Sequence, residues 1–178
     1  MMLLGLRGTP FLYYGDEIGL PDTPLDPAEA LDPVAARLGD PEHNRDVCRT
    51  PMQWSDVQGG GFTEAGARPW LPFGDLAAHN VEAQREDPGS ILHLVRDLIA
   101  LRRSRPDLRE GTYETLPAPD GAWAWRRGPG TAVAVNFGSA RVSLGVTGTV
   151  LIGTDRSRDG EAFSGVLAPG EGVVLETT

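Results

Sequence analysis

Two arginines lie close together in the middle of the chain, in the segment NRDVCRTPMQW that begins at Asn44. Arg45 and Arg49 are four residues apart, so a helix would put both guanidinium groups on one face. Pro51 disfavours helical backbone at Thr50, and the segment is therefore predicted to be a shaped loop. A guanidinium fork on such a loop can hold a carboxylate and still offer hydrogen-bond donors to another group.

Other residues with reactive side chains do not form a site by their spacing. Asp16 and Glu17 are adjacent in GDEIG, and neighbours at the end of a strand point to opposite sides, so a structural role is predicted for both. Cys48 is the single cysteine and cannot form an internal disulfide. One cysteine and three histidines show no metal-ligand spacing. The sequence therefore predicts no metal site and no cofactor, and it leaves calcium binding open.

Composition excludes several classes of protein. The chain has 178 residues and a net charge of -9, which disfavours a nucleic-acid partner. All 16 basic residues are arginine, and this excludes lysine nucleophiles and Schiff bases. The N-terminal MMLLGL is too short for a membrane span and lacks the basic region of a signal peptide. A cytoplasmic protein is expected, with one core and too few residues for a large barrel.

The first hundred residues combine an apolar run, a long irregular region and one helix. Thr9–Tyr14 has no polar alternation and predicts a strand buried on both faces, as in a parallel sheet, although the sequence offers it no neighbour. Residues 21–89 are rich in Pro, Gly and Asp, with short helical candidates at Asp26–Leu38 and Phe73–Gln84. Apolar residues at helical spacing then predict a helix over Ser90–Arg103, with Ser90 as its N-cap.

After Pro106 the sequence changes to short alternating runs separated by Gly, Pro, Asp and Asn. This pattern predicts a small antiparallel β-sandwich or barrel, and the sandwich is the fold assigned to residues 108–178. The fold class is therefore α/β plus all-β, with a domain boundary near Asp107 that divides residues 1–107 from residues 108–178. The predicted strands are Tyr113–Leu116, Ala122–Arg126, Thr131–Asn136, Val142–Val146, Thr149–Ile152 and Gly172–Glu176.

Three motifs occur in the order found in one enzyme family. They are GTPFLYYGDEIGL, RDVCRTPMQW and REDPGSILHLVRDLIALRRSRPDL. Together they resemble the C-terminal third of α-glucosidases and oligo-1,6-glucosidases of the α-amylase superfamily, glycoside hydrolase family 13. The resemblance covers about the first hundred residues, and the β-rich tail fits the C-terminal domain of that family.

The resemblance implies the C-terminal fragment of a (β/α)8 barrel followed by the sandwich. Thr9–Tyr14 would be the eighth strand, Ser90–Arg103 the eighth helix, and residues 21–89 the loop between them, on the catalytic face. The family's retaining mechanism uses an aspartate nucleophile, a glutamate acid/base and a stabilising aspartate. The family pattern places all three before Met1, so the chain alone is expected to be inactive and to need the missing N-terminal barrel portion as its partner.

The resemblance also assigns roles to the two arginines. The arginine before Thr-Pro, here Arg49, would reach the subsite for the non-reducing sugar and pair with an aspartate from the N-terminal part of the barrel. Arg45 would support the same substrate-binding site. The alternative is that both arginines form ion pairs that fix the loop, Arg45 with Asp46 and Arg49 with Asp56.

Residues after the arginines are given structural roles. Met52, Gln53 and Trp54 are predicted to pack the loop against the barrel, with a core position for Trp54 and a sugar contact as its alternative. Asn80 and Gln84 are predicted to tie the end of the loop to the eighth helix.

Two functions follow as hypotheses. The first is the C-terminal portion of a retaining α-glucosidase that acts on short α-linked gluco-oligosaccharides, with trehalose synthases and sucrose-active enzymes as related possibilities. Its linkage specificity would be set largely by upstream loops. The alternative is a stand-alone carbohydrate-binding or structural β-sandwich module, in which Trp123 and Trp125 share a face that could carry a sugar. Non-catalytic transporter heavy chains fit less well, because these need a membrane span.

Overall fold

The computed structural model describes residues 1–26, 30–38 and 44–177, and the chain divides into two units. The first unit joins residues 1–11 to residues 94–178, and the second consists of residues 12–93. The helices are α1 (Met2–Gly5), α2 (Pro33–Leu38), α3 (Val81–Glu86), α4 (Ile91–Ser104) and α5 (Pro106–Glu110). The strands are β1 (Tyr113–Leu116), β2 (Ala122–Arg127), β3 (Thr131–Asn136), β4 (Val142–Ser143), β5 (Gly148–Gly153), β6 (Ala162–Phe163), β7 (Val166–Leu167) and β8 (Gly172–Glu176).

One antiparallel sheet dominates the first unit. Its six strands have the order β1-β2-β3-β8-β5-β6, and β4 pairs with β7 in a separate two-stranded ribbon. All of these pairs are antiparallel. The β region is thus one large sheet with a short ribbon, where the sequence predicts a sandwich of two sheets.

The central strands of the sheet are buried on both faces, and small and large residues alternate along β3. In β3, Ala132 and Ala134 face one apolar cluster, which includes Leu144 and Leu167 from the ribbon side. The intervening Val133 and Val135 face a second cluster, which contains Leu4 of α1, Leu98 of α4 and Leu108 of α5. Every residue of β3 is buried. Alternate residues of β3 therefore pack into two apolar cores, one on each side of the sheet.

Buried arginines fasten the N-terminal segment to the rest of the first unit. The guanidinium of Arg127 is fully buried and donates to the carbonyls of Gly5 (2.9 Å) and Leu108 (3.0 Å). Arg102 of α4 donates to the carbonyls of Leu4 (2.8 Å) and Leu6 (2.9 Å). Burial lowers the pKa of both arginines, and in each case the hydrogen bonds go to neutral carbonyls. Arg102 and Arg127 thus bind the backbone of residues 4–6, which lie about a hundred residues earlier in the sequence.

The two tryptophans of β2 do share a face, as predicted, but they do not form an open platform. Their ring centroids are 4.6 Å apart. Trp125 is fully buried among α1, α4 and α5, and its indole N–H donates to the carbonyl of Gly5 at 3.1 Å. Trp123 is half-buried beside the same cluster. This face of the sheet is occupied by helices of the first unit and is not available to a sugar ring.

The prediction of a doubly buried strand at Thr9–Tyr14 is wrong for this chain. The segment forms no strand, and Phe11 is 83% exposed, with Leu12, Tyr13 and Tyr14 exposed as well. A parallel strand obtains its hydrogen bonds only from neighbouring strands. The described part of the chain provides no such neighbour, so the apolar pattern has nothing to pair with.

The helix prediction is confirmed where apolar residues keep helical spacing over several turns. Ser90–Arg103 corresponds to α4, and Ser90 Oγ accepts a hydrogen bond from the backbone N–H of His93 at 3.3 Å, as an N-cap does. The candidate Asp26–Leu38 shortens to α2, and the candidate Phe73–Gln84 overlaps α3, which begins later and ends at Glu86. Residues 27–29 of the candidate Asp26–Leu38 lie outside the described residues, and α2 begins at Pro33. No helix among the described residues has the length and apolar character needed to span a membrane.

Replacement of Arg127 by methionine tests the anchoring role. The substitution leaves buried carbonyls without donors, and we expect the free energy of unfolding to fall by about 3 kcal/mol. Urea unfolding followed by tryptophan fluorescence measures this. Arg103→Met, at an exposed position of α4, is the matched control and should change stability by no more than about 0.5 kcal/mol. Equal effects of the two substitutions would contradict the anchoring role.

Candidate functional site

The segment that carries the two arginines folds as one 3₁₀ turn, Arg45–Cys48, followed by extended chain. The Asn44 side chain caps the turn by accepting a hydrogen bond from the N–H of Asp46 at 3.0 Å. The turn closes with a bond from the N–H of Arg49 to the carbonyl of Asp46 at 2.9 Å. The prediction of a shaped loop is therefore confirmed. Arg45 begins this four-residue turn and Arg49 directly follows it, and the side chains of both approach the same acid.

That acid is Asp32, whose side chain is completely buried. Arg45 Nε lies 2.7 Å from Asp32 Oδ2, and Arg45 Nη2 lies 2.8 Å from Asp32 Oδ1. The pair is thus bidentate, the arrangement that best matches a guanidinium fork to a carboxylate. The backbone N–H of Arg45 also donates to Oδ2, at 3.1 Å. Asp32 is the strongest contact of Arg45 in the described chain.

Arg49 approaches the same carboxylate more loosely. Its Nη1 lies 3.8 Å from Asp32 Oδ2, which is an ion-pair distance but too long for a hydrogen bond. Within the described residues no hydrogen bond from the Arg49 guanidinium is found. Its side chain is 39% exposed. The arginine predicted to contact sugar therefore keeps its donors available.

A second carboxylate, Asp46, builds the backbone around Asp32. Asp46 Oδ2 accepts from the N–H of Leu31 at 2.6 Å and from the N–H of Asp32 at 2.8 Å. Asp46 is buried and holds backbone, whereas the sequence alternative paired it with Arg45. The acid that approaches Arg49 is likewise Asp32, and not the Asp56 of that alternative. Both arginines are thus organised by one acid that the sequence interpretation did not name.

The charges of this cluster perturb its titration. Hydrogen bonds from Arg45 are the largest cause that holds the pKa of Asp32 well below its usual range. Burial is the largest cause that raises the pKa of Tyr14 to about 12, and the Tyr14 hydroxyl donates to the carbonyl of Thr50 at 3.0 Å. Asp32 is therefore ionised and Tyr14 neutral at pH 7. The cluster presents cationic donors around an ionised carboxylate, which suits binding more than proton transfer.

Aromatic side chains border the arginine loop. The Trp70 indole N–H donates to the carbonyl of Arg49 at 3.0 Å, and Phe62 meets Trp70 edge to face with centroids 5.3 Å apart. Trp54 is 46% exposed, so the prediction of a core position for it is wrong. Its neighbours Met52 and Gln53 are buried, as a packing edge requires.

The GDEIG motif forms a turn whose acids hold backbone. Asp16 Oδ2 accepts from the N–H of Tyr13 at 2.8 Å, and Glu17 Oε2 accepts from the N–H of Gly15 at 2.8 Å. The structural role predicted for both acids is therefore seen. A β-carbon at Gly19, where φ is +62°, would lie 2.5 Å from Ile91 Cδ1, so glycine is required there.

Gln84 connects this turn to the start of α4. Its Nε2 donates to the carbonyl of Ile18 at 2.7 Å, and its Oε1 accepts from the N–H of Leu92 at 3.0 Å. Asn80 begins α3 by accepting from the N–H of Ala83 at 2.7 Å. The predicted tie to the helix is thus present for Gln84, whereas the Asn80 side chain bonds to Leu76 and Ala83, which are near it in sequence. Among residues 1–26, 30–38 and 44–177, no group of three or more His, Cys, Asp or Glu side chains could hold a metal ion.

A family model gives the decisive comparison. The model described as "Alpha amylase, catalytic domain" matches residues 1–111, which is more than half of the chain. The chain belongs to the alpha-amylase family. Within this family it is 38% identical over 114 residues to a probable alpha-glucosidase of Rhizobium meliloti, covering 64% of this chain and 20% of that protein. It is 35% identical over 146 residues to the trehalose-6-phosphate hydrolase of Escherichia coli, covering 71% and 26%.

Solved structures of the alpha-amylase family agree. The trehalulose synthase of Pseudomonas mesoacidophila MX-45 matches with a TM-score of 0.86 and 26% identity, over 99% of this chain and 37% of that one. The isomaltulose synthase of Protaminobacter rubrum matches with a TM-score of 0.83 and 26% identity, over the same shares. The chain thus spans about a fifth to a quarter of the length of the curated relatives above. The resemblance to family 13 enzymes drawn from the three motifs is confirmed.

Asp32 is the residue that sequence reasoning missed. It precedes Pro33, the first residue of α2, and its Oδ1 accepts from the N–H of Val34 at 3.0 Å. Asp followed by Pro is a signature of a helix start, and this signal was present in the sequence. It predicts a cap, but it gives no sign that the same carboxylate receives two arginines from beyond α2.

Substitution of Asp32 by asparagine tests the low pKa. A carboxyl whose pKa is depressed in the folded state stabilises it above the unfolded pKa of about 3.9, and this contribution is lost as the pH falls through the folded value. We therefore expect the wild-type protein to melt at a higher temperature than Asp32→Asn from pH 7 down to about pH 4. The difference should shrink only below that pH. A difference already gone at pH 5 would show that Asp32 is not paired as described.

Proposed function

We propose that the chain supplies the last part of the catalytic domain, and the following β domain, of a retaining α-glucosidase that acts on short α-linked glucosides. The carrying observation is the Arg49 guanidinium, which lies 3.8 Å from Asp32 Oδ2 and donates no hydrogen bond to the part of the chain that the structure describes. Arg49 lies in the segment matched by the family model. Relatives named as glucosidases and as a trehalose-6-phosphate hydrolase support the substrate class.

In this proposal the chain contributes substrate binding and the remaining length of the enzyme contributes the chemistry. A retaining glycosidase needs one carboxylate as nucleophile and another carboxyl as acid/base, about 5 Å apart. Asp16 and Glu17 hold backbone N–H groups, and Asp32 and Asp46 are buried in the arginine loop. These four acids are committed to structure. The resemblance to family 13 implies that the catalytic carboxylates lie in the part of the relatives that this chain does not span.

Arg49 has two functions in the proposed enzyme. Its donors bind hydroxyl groups of the non-reducing sugar, and its fixed charge can also hold an acid supplied by the barrel. Arg45 has given two guanidinium nitrogens to Asp32, so it supports the site rather than contacting substrate. The exposed apolar segment at Thr9–Tyr14 is where the remaining strands of the barrel would add. The enzyme is placed in the cytoplasm, where the exposed thiol of Cys48 would stay reduced.

A chimeric enzyme tests the proposal. This chain would replace the matching segment of the Rhizobium meliloti relative, and hydrolysis of p-nitrophenyl α-glucoside would be measured. We expect activity from the chimera and none from the 178-residue chain alone. A chimera that unfolds cooperatively but leaves the glucoside intact would refute the proposed function.

Substitution of Arg49 by methionine in the chimera tests the binding role. A hydrogen bond to a charged group contributes about 1.5–3 kcal/mol, so kcat/KM should fall about 100-fold. The loss should lie mainly in KM, because the interaction is made with the bound substrate. Arg103→Met is the control and should leave both constants near the wild-type values. An Arg49→Met enzyme with unchanged kcat/KM would remove Arg49 from the site.

A further inference from the structure

The Asp32 carboxylate is saturated by close donors before Arg49 reaches it. Oδ1 accepts from Val34 N and from Arg45 Nη2, at 3.0 and 2.8 Å. Oδ2 accepts from Arg45 N and from Arg45 Nε, at 3.1 and 2.7 Å. Each oxygen therefore has two hydrogen bonds. Little acceptor capacity remains for a third donor.

The two arginines consequently differ in how their donors are used. Arg45 is held by two side-chain hydrogen bonds although its side chain is 50% exposed. Arg49 feels the same negative charge from 3.8 Å but donates no hydrogen bond to it. The side chain of Arg49 is the less exposed of the two, at 39%, yet its guanidinium donates no hydrogen bond to Asp32. Ranking the two arginines by exposure therefore gives the opposite order to ranking them by available donors. An experiment can therefore distinguish the effect of side-chain exposure from the effect of donor availability.

The backbone carbonyl of Arg49 is also fixed. It accepts the indole N–H of Trp70 at 3.0 Å, while the N–H of Arg49 donates to Asp46. The main chain at Arg49 is therefore held on both sides, and the side chain is left to the electrostatic pull of Asp32.

We propose that Asp32 is the positioning residue of this site: by engaging Arg45 fully, it orients Arg49 by charge while leaving the donors of Arg49 for sugar hydroxyl groups. Arg45 acts as a spacer that fills the acceptor sites of Asp32. If Arg45 is removed, Asp32 becomes a buried carboxylate with empty acceptor sites, which is costly. Arg49 then moves in to pair with it and loses its free donors. The identity of the ligand rests on the proposed function, but the division between the arginines does not.

Labelling with phenylglyoxal, a reagent selective for available guanidinium groups, tests the proposal on the 178-residue chain. Peptide mass spectrometry gives the rate at each arginine. We expect Arg49 to react about fivefold or more faster than Arg45, in spite of its lower exposure. Equal rates, or faster labelling of Arg45, would overturn the proposal. This comparison uses the unmodified protein and does not depend on any variant folding.

Three variants extend the test. Arg45→Gln should slow labelling of Arg49 severalfold, because Asp32 captures it. Asp32→Asn should speed labelling of Arg45. Asp75→Asn is the matched control, since Asp75 Oδ1 accepts backbone N–H groups of Ala77 and Ala78, and both rates should stay unchanged. An Arg45→Gln protein in which Arg49 keeps its wild-type rate would overturn the spacer role.

A kinetic arm in the chimera separates positioning from general stability. Arg45→Gln should raise KM through the capture of Arg49, and the double variant Asp32→Asn with Arg45→Gln should recover part of the loss, because no charge remains to capture Arg49. A purely structural role predicts that the double variant is as impaired as the worse single one, and that result would refute positioning. An inactive wild-type chimera would count against the proposed function alone, because the labelling rates still decide the role of Asp32.

Discussion

Buried charge needs compensation, and this constraint organises both units of the chain. In the first unit Arg127 and Arg102 are buried, and within the described chain their guanidinium groups donate to backbone carbonyls that include those of Leu4, Gly5 and Leu6. An ionised group without partners in the interior would cost several kcal/mol, so the N-terminal segment is held where its carbonyls satisfy the two cations. In the second unit the buried charge is negative instead of positive. The buried carboxylate of Asp32 gathers the two arginines around itself.

Directional bonds matter more in the second unit because its apolar core is small. The buried cluster there contains Ile18, Met52 and Val81, with Leu20 and Leu92 packed against it. Asp46 and Gln84 add hydrogen bonds to backbone groups far away in sequence, and Asn80 caps the start of α3. A loop held this way can keep charged groups at fixed positions near solvent, which a hydrophobic core cannot do.

Local pattern predicted the regular elements well. The strands Tyr113–Leu116, Thr131–Asn136 and Gly172–Glu176 agree with the structure at both ends, because alternation and turn residues are properties of short stretches. The prediction of a strand at Thr9–Tyr14 is wrong because a parallel strand needs neighbouring strands to bond with, and its own residues cannot supply them. The strands β6 and β7 have two residues each, too few to show a period.

The sequence by itself determined the family, the strongest helix, most strands and the arginine loop, since these follow from motif order and short-range periodicity. Only the tertiary structure decided which acid serves the arginines. Asp32 lies 13 residues before Arg45, whereas the ion pairs considered from the sequence used the nearer Asp46 and Asp56. Its choice depends on the turn at Arg45–Cys48 and on the start of α2, which together bring the three side chains within 4 Å. A contact between segments is fixed by how they fold back on each other, and no local pattern records it.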